Sequence, residues 1–176
     1  MLGLAAVLAG GCGDSGDTVE GPPPQAAPTL VVESSAFENG GTIPKRFTCD
    51  GDDTSPPLRI GGAPKDAKDL ALLVEDPDTR GGTFVHWSAW AIPPRTKAIP
   101  QGGLPAGARQ GENSFGDTKY SGPCPPKGDD PHRYQFIVYA LSEPLDLGKG
   151  AKPGEVRAAI AKKAVGRGET FGTYGR

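Results

Sequence analysis

The chain contains only two histidines, and each lies at or near the start of an apolar run. His86 lies within the run FVHW, and His132 opens the run HRYQFIVYAL. Asp76 and Asp78 close a third apolar run in the motif Asp-Pro-Asp. If the three runs form neighbouring strands, their polar ends can converge around one small cavity. The residues that would surround this cavity are Asp76, Asp78, His86, His132, Arg133 and Tyr134.

The chemistry that these residues favour is the binding of a small anion such as phosphate. Imidazole and phenol groups donate hydrogen bonds, and the backbone amides of a turn can form an anion-binding nest. The proline-rich sequence GPCPPKGDDP precedes His132 and predicts a rigid rim that begins at Gly122 and Pro123, with exposed backbone N–H groups. Because free imidazole gains charge near pH 6.5, we expect such a pocket to bind anions more tightly below that pH.

Each of these residues also has a purely structural explanation. Asp-Pro-Asp is a common turn sequence, and His86 can be a core histidine bonded to a backbone carbonyl. The triplet around Arg133 can be an ordinary strand edge, with Arg133 paired to Asp76 or Asp78 in a salt bridge. The argument for a site therefore depends on these residues occurring together.

No catalytic or metal-binding motif accompanies the polar residues. The sequence has no GxSxG elbow, Walker loop or GxGxxG motif, and it lacks the HxH, HExxH and CxxC spacings of metal sites. We therefore predict a binding protein that is not an enzyme and uses no metal or cofactor. The net charge is −2, and without a basic stripe or tail nothing indicates a nucleic-acid partner.

Apolar runs separated by glycine and proline predict the strands that must position these residues. The predicted strands cover 29–37, 69–78, 83–94 and 133–145, with a last short strand at 166–176. Residues 154–165 show the helical periodicity of a single late helix. The segment 95–131 is long and irregular, which is typical of functional loops or of disorder. This pattern predicts a mainly β fold, most simply a β-sandwich.

The N-terminus predicts export. Residues 1–12, MLGLAAVLAGGC, resemble a bacterial lipoprotein signal in which Cys12 is lipidated after cleavage. The match is imperfect because no Lys or Arg precedes the apolar run and Ala9 stands where leucine is usual; an ordinary secretory signal or a short disordered tail are the alternatives. Residues 13–28 are rich in Gly and Pro and predict a flexible tether. Residues 29–176 would then form the domain of an exported, membrane-anchored protein.

Two further cysteines, Cys49 and Cys124, belong to the predicted domain. Export places a protein in an oxidising compartment, which permits a disulfide between them. Two separate buried thiols are the alternative, because the sequence does not show how closely the two residues approach.

Five segments resemble one known family. They are FTCDGDDTSPPL, LALLVEDPD, FVHW, GPCPPKGDDPHRYQFIVYAL and the closing GTYGR. In their order and spacing they are similar to phosphatidylethanolamine-binding proteins, and more narrowly to the bacterial Raf-kinase-inhibitor-like (YbhB/YbcL-like) branch. The resemblance covers residues 29–176.

This resemblance implies a sandwich of antiparallel sheets with a small anion pocket near one end. Members of the family take phosphate, other small anions or a phosphoethanolamine head group, so the implied function is the binding of phosphate-like or phospholipid head-group ligands. Arg133 would point away from the pocket, toward a buried Asp78. The implied pocket residues are Asp76, Asp78, His86, Gly122, Pro123, His132 and Tyr134.

The sequence also departs from eukaryotic members of this family. Residues 79–82, Thr-Arg-Gly-Gly, follow the Asp-Pro-Asp motif, and Phe84 and Val85 precede His86. Lipid specificity is therefore not implied. The alternative function is a protein-interaction module that inhibits a protease or a kinase and depends on the 95–121 loop instead of the pocket.

Overall fold

The computed structural model describes residues 17–176 and shows two antiparallel sheets with one α-helix, as the sequence predicted. Cys12 and the signal segment 1–12 lie outside the described residues. One sheet has the strand order β1-β2-β5 and the other β6-β4-β3-β7-β8. The elements are β1 (Val31–Ser34), a 3-10 turn (Lys45–Phe47), β2 (Leu58–Gly61), β3 (Asp69–Asp76), β4 (Phe84–Ile92), β5 (Ala98–Ile99), β6 (Arg109–Gln110), β7 (His132–Leu141), α1 (Pro153–Lys163) and β8 (Ala164–Tyr174).

The five-stranded sheet is buried on both faces, which explains the continuous apolar runs of its central strands. All eight residues of β3 are buried. On β7, one set of alternating side chains faces the three-stranded sheet, and the other set packs near α1 against Val156 and Ile160. The side chains that face the three-stranded sheet are those of Tyr134, Phe136, Val138 and Ala140.

The C-terminal strand is longer than the sequence predicted. The helix ends at Lys163 instead of residue 165, and ten of the eleven residues of β8 then pair with β7. Gly168 lies directly under the N-terminal part of the chain, where an added Cβ would come 2.3 Å from the carbonyl oxygen of Leu30. Glycine is thus required by close backbone packing within a strand, although the same glycines give the sequence the appearance of a turn.

The long segment 95–131 is held in place by one buried side chain and two short strands. Asn113, which is 1% exposed, accepts hydrogen bonds at Oδ1 from the backbone N–H groups of Phe115 (2.9 Å) and Asp117 (3.0 Å). Its Nδ2 donates to the carbonyl oxygen of Lys119 (3.1 Å) and to Ser121 Oγ (3.0 Å). These four bonds give a loop without regular secondary structure a fixed conformation.

Part of the predicted tether lies against the domain. Val19 exchanges two backbone hydrogen bonds of 2.9 Å with Thr83, and the N–H of Asp17 donates to the carbonyl oxygen of Ser114 (3.1 Å). Arg157 of α1 donates to the carbonyl oxygens of Glu20 (3.2 Å) and Gly21 (2.9 Å). We call residues 17–21 the N-terminal strap. Composition alone predicted flexibility here, because backbone pairing with a distant loop leaves no trace in composition.

A buried ion pair holds the arginine that fixes the strap. Glu75 of β3 is fully buried, and its Oε1 lies 3.1 Å from Nε of Arg157, although the two groups are not aligned as a hydrogen bond. Burial raises the pKa of the Glu75 carboxyl to about 7, and the positive charges of Arg157 and Arg167 oppose this rise.

Within residues 17–176, no helix has the length and apolar character needed to cross a bilayer.

Candidate functional site

A cavity of about 720 Å³ opens at one end of the five-stranded sheet. There β3 ends, β4 and β7 begin, and β8 ends, so the pairing of these strands brings together residues far apart in the chain. The loop after β3 and the loop before β7 complete its walls. The lining residues are Asp76, Thr79, Arg80, Phe84, His86, Phe115, Cys124, Pro125, Pro126, Asp129, His132, Tyr134 and Arg176.

His132 and Asp76 form a buried pair in this cavity. Nδ1 of His132 lies 2.8 Å from Oδ2 of Asp76, and the two residues are 9% and 2% exposed. A carboxylate only accepts hydrogen bonds, so Nδ1 carries the proton, and Nε2 remains for a ligand. Oδ1 of Asp76 accepts a hydrogen bond from the backbone N–H of Asp78 (2.9 Å), which fixes the carboxylate. A protonated His132 would present an Nε2–H donor beside a compensating negative charge.

His86 is held through the same ring nitrogen as His132, but by a neutral carbonyl oxygen instead of a carboxylate. Its Nδ1 lies 2.8 Å from the carbonyl oxygen of Ser121, so Nδ1 is the donor and Nε2 carries the lone pair. Burial lowers the pKa of His86, and the bond to Ser121 opposes the change only in part. His86 therefore gains its charge at a lower pH than free imidazole does, and it contributes less than expected to a tightening of anion binding near pH 6.5.

Tyr134 contributes a buried hydroxyl group that makes no hydrogen bond of good geometry within residues 17–176, although the Asp76 carboxylate and the backbone of Cys124 lie near it. Its side chain is fully buried, and among the described residues no group makes a hydrogen bond to Oη. The ring meets that of His86 edge to face, with centroids 5.2 Å apart. Because a buried hydroxyl without a partner costs free energy, this group is suited to donate to a ligand in the cavity.

Asp78 does not line the cavity. Its Oδ2 accepts from the backbone N–H (2.9 Å) and Nε (3.0 Å) of Arg133, and its Oδ1 accepts from Nη2 (2.6 Å). These bonds to Arg133 hold the pKa of the Asp78 carboxyl below its usual value. As expected, Arg133 points away from the pocket toward Asp78, but the expectation that Asp78 is buried is wrong, since the residue lies at the surface. The pair fixes the turn that positions Asp76.

Gly122 and Pro123 lie behind the cavity wall, and the predicted rim of exposed N–H groups is wrong at these positions. Both residues are buried. The N–H of Gly122 donates to Oδ1 of Asp53 (2.6 Å), and the carbonyl oxygen of Pro123 accepts from the N–H of Cys49 (3.1 Å). The next residues do form the wall, but Pro125 and its neighbouring proline have no N–H to offer an anion. An added Cβ at Gly122 would meet backbone at 2.3 Å, so glycine here serves packing.

A disulfide joins Cys49 to Cys124, with Cα atoms 5.4 Å apart. Cys124 lines the cavity, so the bond ties the wall before β7 to the turn after the 3-10 helix. This is one of the two arrangements that the sequence left open.

The lining residues that were not assigned to the site from the sequence include Arg80, Phe84, Phe115 and Arg176. Nε of Arg176 donates to the carbonyl oxygen of Pro125 (2.8 Å), which places the C-terminal guanidinium beside the cavity. The closing GTYGR segment was part of the family resemblance, and its arginine was the available signal. Phe115 gave no signal, because one aromatic residue in a polar turn has no periodic context.

The cavity offers a ligand both hydrogen-bond donors and an acceptor. Hydrogen-bond donors are available from Tyr134, from the guanidinium groups of Arg80 and Arg176, and from protonated His132. Nε2 of neutral His86 is an acceptor. Among residues 17–176, no cluster of three His, Cys, Asp or Glu side chains is placed to hold a metal ion.

The fold and the cavity define an antiparallel β-sandwich with a polar, ligand-sized cavity at one end. The chain belongs to the phosphatidylethanolamine-binding protein family, whose model matches residues 33–175. A UPF0098 protein of Pyrococcus abyssi is 44% identical over 154 residues, which cover 84% of this chain and 86% of the relative. LppC of Mycobacterium tuberculosis, which bears the name of a lipoprotein, is 40% identical over 187 residues, covering 98% of this chain and 92% of the relative.

Solved structures show the same fold. Escherichia coli YbcL, described as a member of the mammalian PEBP family, matches with a TM-score of 0.80 and 31% identity, over 84% of this chain and 99% of that chain. Carboxypeptidase Y inhibitor, solved in complex with its cognate proteinase, matches with a TM-score of 0.52 over 82% of this chain and 83% of that chain. At 21% identity, this second likeness shows the fold alone.

Proposed function

We propose that this protein is a non-catalytic binding protein whose cavity takes a small phosphate-like anion, either free or as the head group of a phospholipid. The observation that carries this proposal is the His132–Asp76 pair, which shares one cavity with the unpartnered hydroxyl of Tyr134. His132 and Tyr134 are both buried. A ligand oxygen could bond to Nε2 of His132 and to the hydroxyl of Tyr134.

The charges around the cavity support an anion once His132 is protonated. Arg80, Arg176 and protonated His132 are positive, and Asp76 and Asp129 are negative. Asp76 is neutralised by its contact with His132, and Asp129 lies 3.4 Å from Arg80. An incoming phosphate would therefore meet paired carboxylates and guanidinium groups that retain free N–H donors.

The neutral imidazole of His86 limits which ligands the cavity would accept. Its neutral ring offers Nε2 as an acceptor, which would repel a ligand oxygen without a proton. A phosphate monoester has a second pKa near 6 and keeps a hydroxyl group on part of its population at neutral pH. The ammonium group of phosphoethanolamine would provide donors in the same way. We therefore expect both ligands to be preferred over anions that have no proton to donate.

An NMR titration with phosphate and with phosphoethanolamine tests the proposal. The protein is the full chain with Cys12→Ser, so that no lipid is attached, and the imidazole protons of His86 and His132 are followed. We expect saturable shifts at both rings. In His132→Gln, affinity should fall about tenfold to a hundredfold, the usual contribution of a hydrogen bond to a charged group.

Glu143→Gln provides the control. The Glu143 side chain is 71% exposed and does not line the cavity, so this variant should keep its affinity. If neither ring shifts at millimolar ligand, the proposed anion pocket is wrong although the fold stands. Equal losses in His132→Gln and Glu143→Gln would show that a general structural change, and not the cavity, controls binding.

We also infer that the protein is exported and anchored to the membrane by a lipid on Cys12. The N-terminal sequence and the lipoprotein name of LppC, which is similar over almost the full length of the chain, support this inference. Mass spectrometry of the membrane fraction tests it: a diacylglyceryl modification on Cys12 is expected, and Cys12→Ser should release the protein.

The alternative function is inhibition of a protease or kinase through the protein surface. The fold shared with carboxypeptidase Y inhibitor is the observation that supports it. An inhibitor of this kind would tolerate His132→Gln and depend on residues 95–121. Because that likeness extends to the fold alone, the polar cavity supports anion binding better.

A further inference from the structure

The N-terminal strap meets the domain at the rim of the cavity. Val19 pairs with Thr83, the residue before the cavity-lining Phe84. The N–H of Asp17 bonds to the carbonyl oxygen of Ser114, the residue before the cavity-lining Phe115. The chain preceding Asp17 therefore joins the described domain beside two walls of the same cavity.

The short connection to Cys12 limits which face of the domain can meet a membrane. Five residue steps separate Cys12 from Asp17, and a fully extended chain spans at most about 18 Å over that length. A compact domain of this size has a radius of gyration of about 15 Å and is roughly 40 Å across. A lipid on Cys12 would therefore hold the Asp17 face, with the cavity rim, against the bilayer.

An exposed phenylalanine stands on that face. Phe115 is 50% exposed, and its ring packs edge to face on Phe84 with centroids 4.6 Å apart. The loop is fixed by the buried Asn113, so the exposure of the ring is a stable feature of the fold. The other large apolar residues of comparable exposure within 17–176, Val31 and Val165, lie toward the opposite end of the sheets.

A cation stands on the same rim. The side chain of Arg80 is 90% exposed, and its guanidinium lies 3.4 Å from a carboxylate oxygen of Asp129. An exposed aromatic ring and an arginine at one cavity suit a bilayer surface, because the ring enters the apolar boundary while the guanidinium remains among phosphate groups. Both residues line the polar cavity.

We propose that the Phe115–Arg80 rim rests on a phospholipid bilayer, so that the cavity opens onto the lipid head groups. This inference rests on the proposed function, specifically on the lipid anchor at Cys12. Under this proposal the cavity takes its ligand from the membrane surface, and Phe115 is the side chain that enters the bilayer.

Quenching of tryptophan fluorescence by brominated lipids tests this orientation. The lipidated full-length protein is reconstituted into vesicles of phosphatidylcholine and phosphatidylglycerol, with bromine on the acyl chains. Phe115→Trp places the reporter at the proposed contact. Val165→Trp is the matched control, since Val165 is also exposed but lies about 30 Å away along β8. The native Trp87 and Trp90 are buried, and their signal is subtracted with the unsubstituted protein.

We expect quenching at position 115 to exceed quenching at position 165 several-fold. A long Gly/Ser insertion between Cys12 and Asp17 should reduce this difference, because the domain would then rotate freely. Equal quenching at the two positions would overturn the proposal, and so would greater quenching at position 165. Either result would instead favour a rim that faces a protein or the aqueous phase.

The two proposals fail in distinguishable ways. If the Cys12→Ser protein binds phosphate but the lipidated Phe115→Trp variant shows no preferential quenching, the anion pocket stands and the membrane orientation is wrong. If mass spectrometry finds no lipid on Cys12, the orientation proposal is overturned together with the anchor. Preferential quenching without phosphate binding would support the orientation and overturn the pocket.

Discussion

Replacing Glu75 by glutamine should change how the stability of this protein depends on pH. Glu75 is fully buried and faces Arg157, the residue that holds the N-terminal strap. Burial raises the pKa of its carboxyl to about 7 from a usual value of 4.5. Between these values the folded protein keeps a proton that the unfolded chain has released. The free energy of unfolding therefore falls as the pH rises through this window, and this contribution is constant above it.

The size of the effect follows from the pKa change. Each pH unit between the unfolded and folded values corresponds to about 1.4 kcal/mol, so the rise to about 7 corresponds to roughly 3 kcal/mol. Glutamine does not titrate. The stability of Glu75→Gln relative to the unsubstituted protein should therefore increase by up to about 3 kcal/mol from pH 4.5 to pH 8.

Urea unfolding at a series of pH values measures this difference. Other groups titrate alike in both proteins, so their contributions cancel in the comparison. Glu143→Gln is the control, since the Glu143 side chain is 71% exposed and should leave the profile unchanged. A difference between Glu75→Gln and the unsubstituted protein that stays constant with pH would refute the reasoning. It would mean that Arg157 compensates fully for the burial of the carboxylate.

Two further substitutions test the packing of β8 and the role of the cavity hydroxyl. Gly168→Ala should lower the free energy of unfolding by about 1–3 kcal/mol, because its Cβ would overlap the carbonyl oxygen of Leu30. Gly148→Ala, where nothing lies within 4 Å, should change it by less than about 0.5 kcal/mol, and equal effects in urea unfolding would contradict this account. Tyr134→Phe should leave stability unchanged or raise it by about 1 kcal/mol, while phosphate affinity falls about tenfold. A clearly lower free energy of unfolding for this variant would show that the hydroxyl already has a hydrogen-bond partner in the free protein.

The sequence predicted the sheet that carries the site because that sheet is buried on both faces. The long apolar runs of β3, β4 and β7 predicted strands, and their polar ends made Asp76, His86 and His132 candidate neighbours, which they are in the structure. The same reasoning included Tyr134, and the family resemblance added the orientation of Arg133. These features depend on local composition and on the order of the elements, which a sequence states directly.

The tertiary structure decided the features that depend on close approach between distant parts of the chain. The carbonyl oxygen of Leu30 makes Gly168 part of a long strand, and Asp53 takes the N–H of Gly122 that the sequence offered to an anion.

The N-terminal strap also depends on contacts between distant parts of the chain. Its residues were predicted to form a free tether, but they make backbone hydrogen bonds with Thr83 and Ser114. Hydrogen-bonding capacity is the same for every backbone amide, so composition does not show which amides will be paired. The sequence by itself therefore determined the central strands and the chemical character of the cavity. Only the tertiary structure decided which groups remain free for a ligand and at which face of the domain the N-terminal strap lies.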